Sequence, residues 1–118
     1  MYKDSPCTSR LMDILSEISI VTTVSNLSQL KKALRRRHDG LVLSGSEETI
    51  TKGVHKETVR MNRLALSQPV PVLGVCFGMQ MMSLLYGGVI VNLRLRHRGQ
   101  FHVSTRLSCI FDGKDIVA

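Results

Sequence analysis

The chain contains no tryptophan, and its aromatic content is only 4%. Proteins that grip single strands of nucleic acid stack bases on aromatic side chains, so nucleic acid is not an expected partner despite the formal charge of +7. Long apolar runs are missing too; none approaches the roughly 20 residues needed to span a bilayer. The opening Met1-Tyr2-Lys3-Asp4-Ser5-Pro6 lacks the apolar core of a secretory leader. The expectation is therefore a cytoplasmic protein that does not engage a membrane. Cysteine is sparse, and Cys7, Cys76 and Cys109 show neither paired nor metal-type spacing. Free thiols are expected in a chain of this kind. No Walker or dinucleotide fingerprint occurs, so neither cofactor nor metal is expected. There is no internal repeat and no low-complexity tract.

What the chain does have is the apolar content of a globular protein, 43% over 118 residues, enough for one domain with a core. Leu11, Ile14, Leu15 and Ile18 form one helical stripe, which predicts a helix over 8–18. The β-branched run Ser19–Val24 predicts a strand. Ser25 or Asn26 suits the cap of a second helix reaching about Arg37, with Leu27, Leu30 and Leu34 inward. Its Lys31, Lys32, Arg35, Arg36 and Arg37 then form a solvated outer face, and Asp39-Gly40 ends it. Leu41–Leu43 predicts a strand covered on both faces, since it does not alternate. A long helix is expected over 49–67, with its start weakened by Gly53 and its end marked by Pro69 and Pro71. Beyond Gly88, alternation at Val89–Leu95 and again at Phe101–Leu107 predicts an antiparallel hairpin, and Phe111–Asp115 a turn.

The densest signal lies between these segments. The apolar Val70-Pro71-Val72-Leu73 leads into Gly74-Val75-Cys76-Phe77-Gly78, and a helix-forming run follows at once, stopped by Gly87-Gly88. Strand, sharp turn with a nucleophile at its tip, then helix is the pattern of a nucleophile elbow, with cysteine in place of serine. The glycines admit close neighbours and strained dihedrals. The helix start aims free N–H groups and a partial positive charge at the sulfur, and thiolate is the attacking form of cysteine. Met79, Met81 and Met82 are expected to form the core of the elbow helix. Cys109 reads as a small core hydrophobe and Cys7 as incidental. Alternating helices and strands give a parallel α/β sheet with helices on both faces and the hairpin at one edge. Ligands sit beyond the carboxyl ends of such strands, where both Cys76 and the loop after Leu43 fall.

Gly74-x-Cys76-x-Gly78-x-Gln80 resembles the signature of the class I (triad) glutamine amidotransferases. The longer run Pro71 to Met82, followed by Gly87-Gly88, is most similar to the glutaminase domain of GMP synthetases. Gly40-Leu41-Val42-Leu43-Ser44-Gly45 resembles that family's strand ending in Ser-Gly-Gly-Pro. The resemblance implies a flavodoxin-like three-layer sandwich, with residues 1–118 forming a single, incomplete domain of the family type. It implies that Cys76 attacks glutamine and that the N–H of Phe77 helps hold the oxyanion. It places a second donor at Gly45-Ser46 and a substrate-lining role at Gln80. The implied partner is a synthetase domain or subunit that accepts ammonia, in purine nucleotide synthesis.

Glutamine hydrolysis also needs a base and acid for the proton of the leaving ammonia. The family's His-x-Glu pair supplies them, and no His-x-Glu occurs between Cys76 and Ala118. His38, His55, His97 and His102 read as incidental, His38 as the end of the basic helix and His55 as a helix-surface residue. Ser46 and Glu47 stand where the family has Gly and Pro. The second expectation is thus a non-catalytic amidotransferase-like module that works by binding a partner. A third is a binder of acidic partners or nucleic acid through the basic helix and Arg94–Arg98.

Overall fold

The computed structural model describes residues 6–45, 50–92, 102–103 and 116–117. The first apolar stripe winds α1, Pro6–Ile18. Ser19 adds a last turn to it, its N–H and Oγ both donating to the Leu15 carbonyl at 3.0 and 3.2 Å. The strand expected over Ser19–Val24 is absent. These residues have no regular structure, and Ile20 is fully exposed. A β-branched run favours extension, but a strand exists only where another backbone completes its ladder.

Asn26 starts α2, Leu27–Ala33, with extended backbone and an Oδ1 that accepts the Gln29 N–H at 2.9 Å. Gln29 returns its own Oε1 to the Ser25 N–H at 2.8 Å. Two donors at the helix start are thus met by side chains, a variant of the capping box displaced by one residue. Asn26→Ala is expected to lower the unfolding free energy by about 1 kcal/mol, measured as a shift in urea midpoint at constant slope. An unchanged midpoint would show that the cap does not contribute. Leu30 is buried, while Lys31, Lys32 and Arg35–Arg37 lie on the exposed side. The helix ends earlier than expected, and His38 lies in the loop beyond it with Nδ1 2.9 Å from the Arg36 carbonyl oxygen.

β1, Leu41–Leu43, pairs in parallel with β2, Val72–Gly74, matching Leu41 with Val72, Val42 with Leu73 and Leu43 with Gly74. A 3₁₀ turn, Ile50–Lys52, and α3, Lys56–Leu66, lie in the connection. Gly53, at φ 94°, separates the two, so the long helix begins well after residue 49. His55 occupies the position before α3 rather than the helix surface, without a side-chain cap bond. The Leu27 N–H donates to Glu57 Oε1 at 3.1 Å, tying the start of α2 to α3.

β2 turns through residues 75–76 into α4, Phe77–Leu85, which packs on both strands and on α3. The C-terminus of α4 closes as a Schellman motif. The Gly88 N–H reaches the Ser83 carbonyl at 2.7 Å and the Gly87 N–H the Leu84 carbonyl at 3.1 Å, with Gly87 at φ 89°. Among the described residues the buried apolar side chains are Leu30, Ala65, Phe77 and Met81, contributed by α2, α3 and α4, of which α4 packs on one face of the sheet. The opposite face carries Val42 and Leu73, 37% and 49% exposed, so β1 is not covered on both faces. Its lack of sequence alternation records apolar side chains on both faces, not cover over both.

The expected hairpin is not supported. Residues 89–92 form no strand, and Val89 and Val91 are exposed. A different antiparallel pair occurs: β3, His102–Val103, against β4, Ile116–Val117. Alternation specifies a two-faced strand but not its partner. The expected turn over 111–115, Arg94–Arg98 and Cys109 lie outside the described residues.

Candidate functional site

Cys76 is a non-glycine residue at positive φ, with φ 52° and ψ −114°. Side chains rarely accept this backbone, and such residues persist where the surroundings hold them. The hold here is built by its neighbours. The Val75 N–H donates to the Leu43 carbonyl at 2.9 Å, which extends the β1–β2 ladder into the turn. The Cys76 carbonyl accepts the Gln80 N–H at 3.1 Å, and the Gly78 N–H meets the Val75 carbonyl at 3.0 Å. The chain therefore passes from ladder to helix across one residue, and that residue takes the strained dihedral.

The two flanking glycines make this geometry possible by close approach. A Cβ at Gly74 would lie 2.8 Å from Met79 N and Cα and 2.6 Å from the sulfur of Met82. A Cβ at Gly78 would collide with the Leu43 carbonyl oxygen and stand 2.6 Å from its carbon. Leu43 is thus the backstop of the elbow, accepting a turn hydrogen bond and touching the helix start. The sequence reading did not single it out. The signal was the pair of glycines, which announces that a backbone must come near.

Cys76 is exposed and its thiol is free. Phe77 is buried, and as the first helical residue its N–H has no acceptor within the helix. Gln80 lies one turn in, half-buried. Gly45 comes to the same rim: a Cβ built on it would sit 3.6 Å from the Cys76 Cβ. Parallel pairing of β1 and β2 brings together these residues, far apart in sequence, because both loops leave the carboxyl ends of adjacent strands. Ser46 lies outside the described residues. Ser44, half-buried, sits just before Gly45 with its Oγ 3.4 Å from the Gly45 carbonyl oxygen.

The methionines divide. Met81 is fully buried and Met82 half-buried, but Met79 is 55% exposed. Residues two apart on a helix point to different sides, so the three cannot all enter one core. Of the histidines downstream of Cys76, His102 opens β3 and His97 lies outside the described residues. No helix among the described residues is long and apolar enough to cross a membrane.

An exposed cysteine on a strained strand–turn–helix bend, beside a second loop at the carboxyl end of a parallel strand pair, defines an α/β protein with a candidate site at the strand ends. The model of the class-I glutamine amidotransferases matches residues 5–117, and the chain belongs to that family. Among curated proteins it is similar to GMP synthase [glutamine-hydrolyzing] of Hamiltonella defensa, 39% identical over 62 residues, covering 52% of this chain and 11% of that protein. The enzyme of the same name from Yersinia enterocolitica is 35% identical over 80 residues, covering 66% and 15%. That from Clostridium tetani is 26% identical over 91 residues, covering 76% and 17%. The matched region is thus a small fraction of each relative's length. No solved structure matches the chain.

Proposed function

We propose that residues 1–118 form a glutaminase-type domain that releases ammonia from glutamine for a synthetase domain or subunit, in GMP synthesis in the cytoplasm. The observation that carries this reading is the free, exposed Cys76 at φ 52° between Gly74 and Gly78, with Gly45 beside it. In this proposal Cys76 Sγ attacks the side-chain amide carbon of glutamine. The carbon–nitrogen bond breaks, the nitrogen takes a proton and leaves as ammonia, and a γ-glutamyl thioester remains. Water then cleaves the thioester, giving glutamate and restoring the thiol. The N–H of Phe77 faces the developing oxyanion, Gly45 and Ser46 supply the opposing loop, and Gln80 lines the substrate. The flavodoxin-like α/β fold of the family provides the frame.

A second reading is a non-catalytic amidotransferase-like module. Ser46-Glu47 in place of Gly-Pro favours it, because an oxyanion donor out of place costs about 10²–10³ in rate. One experiment separates the readings: the purified chain is treated with a diazoketone analogue of glutamine while glutamate release is followed in parallel. Labelling at Cys76 that disappears in Cys76→Ser, together with glutamate release, is the result expected of the glutaminase. Labelling without release identifies the module that keeps the pocket but lacks the base. Absence of labelling eliminates a working elbow.

A further inference from the structure

The elbow makes no use of the basic cluster. Lys31, Leu34 and Arg35 at the end of α2 face Leu64 and Gln68 at the end of α3 across an open groove of about 310 Å³. Its floor is aliphatic, since Leu34 and Leu64 are half-buried, and its α2 side carries the exposed Lys31 and Arg35. Gln68 is held in place, its Nε2 donating to the Leu64 carbonyl at 3.0 Å. Lys32, Arg36 and Arg37 continue the positive charge outside the groove, and none of the five cations has an ion-pair partner among the described residues. Lys31 and Lys32 lie in the last turn of α2 and Arg35–Arg37 just beyond it, so five like charges crowd one short stretch of exposed surface. A helix C-terminus attracts cations, which accounts for positive charge at this end of α2. It does not account for an apolar floor between α2 and α3.

We propose that this groove docks an acidic segment of a partner protein. One aliphatic side chain enters between Leu34 and Leu64, and flanking carboxylates meet Lys31 and Arg35. Nucleic acid fits less well, because no aromatic side chain lines the groove to stack a base. The site is separate from the elbow. Leu64 lies in the last turn of α3 and Gln68 just past it, ahead of the amino end of β2, while Cys76 follows the carboxyl end of β2.

The test is fluorescence anisotropy of the full chain with a short labelled peptide bearing one leucine among glutamates. Saturable binding is expected, weakened about tenfold by the double variant Lys31→Glu/Arg35→Glu. Lys31→Ala/Arg35→Ala should weaken it in the same direction, with helicity and Cys76 labelling retained in both. Arg36→Glu/Arg37→Glu makes the same change in net charge outside the groove and should leave affinity within about twofold. Replacing the peptide leucine by serine should cost about fivefold or more. Three results each overturn the proposal: equal losses from both charge-reversal pairs, indifference to the leucine, or tighter binding of an oligonucleotide of matched charge. So does the absence of saturable binding. Cys76 labelling reports on the elbow alone, so this proposal and the glutaminase reading fail independently.

Discussion

Gly78→Ala is expected to destabilise the chain by about 3 kcal/mol, near the top of the range for overpacking. Alanine is the better helix former, by about 1 kcal/mol in a helix interior, so local propensity alone predicts the opposite sign. The contact decides. The new methyl would meet the carbonyl oxygen of Leu43 and lie 2.6 Å from its carbon and 2.7 Å from its Cβ. These are backbone or backbone-anchored atoms, unable to swing aside as a flexible side-chain tip does. Relief requires α4 to lift from β1, which opens the packing around Phe77 and Met81 and carries Cys76 away from Gly45. Urea unfolding should show a lower midpoint, and Cys76 labelling by the glutamine analogue should fall with it. A midpoint equal to or above that of the parent chain would mean that α4 does not press on β1 as described.

Cys76→Gly is expected to separate stability from chemistry. Holding a residue with a Cβ at φ 52° and ψ −114° costs on the order of 1–3 kcal/mol. Glycine removes that strain but adds about 0.4–1 kcal/mol of unfolded-state entropy. The strain term is the larger, so the variant should gain about 1 kcal/mol in unfolding free energy while losing all labelling. Thermal unfolding of the two chains in parallel measures it. A less stable glycine variant would show that the Cys76 side chain contributes packing that outweighs the strain.

The elbow was legible because its requirements are local. A strained turn tightly packed on both sides asks for glycine within a residue or two, and Gly74 and Gly78 state that demand directly. A cap at Ser25 or Asn26 and the stop at Gly87-Gly88 were legible for the same reason, and the structure assigns the cap to Asn26. The face of α3 that is buried was not. In the sequence Ile50, Val54, Met61 and Leu64 are the apolar positions of the long helix expected there, with Ala65 beside them; of these only Ala65 is fully buried, together with Thr58 and Asn62. Small residues let α4 come close, and Asn62 meets its need by donating Nδ2 to the Thr58 carbonyl at 2.8 Å. A buried polar side chain is tolerated when such a bond exists, and the bond is invisible until the helix has formed.

Strand pairing was beyond reach in the same way. Ser19–Val24 and Val89–Leu95 have the composition of strands, but neither Ser19–Val24 nor residues 89–92 are strand. His102–Val103 pairs instead with Ile116–Val117. The amino-acid order alone determined the bend at Cys76, the helix limits set by Asn26 and Gly87, and membership of an amide-handling family, because each depends on residues within a few positions of one another. Tertiary structure decided that Gly45 stands against Cys76, that Leu43 backs the turn, and that Val42 and Leu73 face outward. Those outcomes depend on which backbones meet across the sheet, a matter of long-range packing that no short window of residues contains.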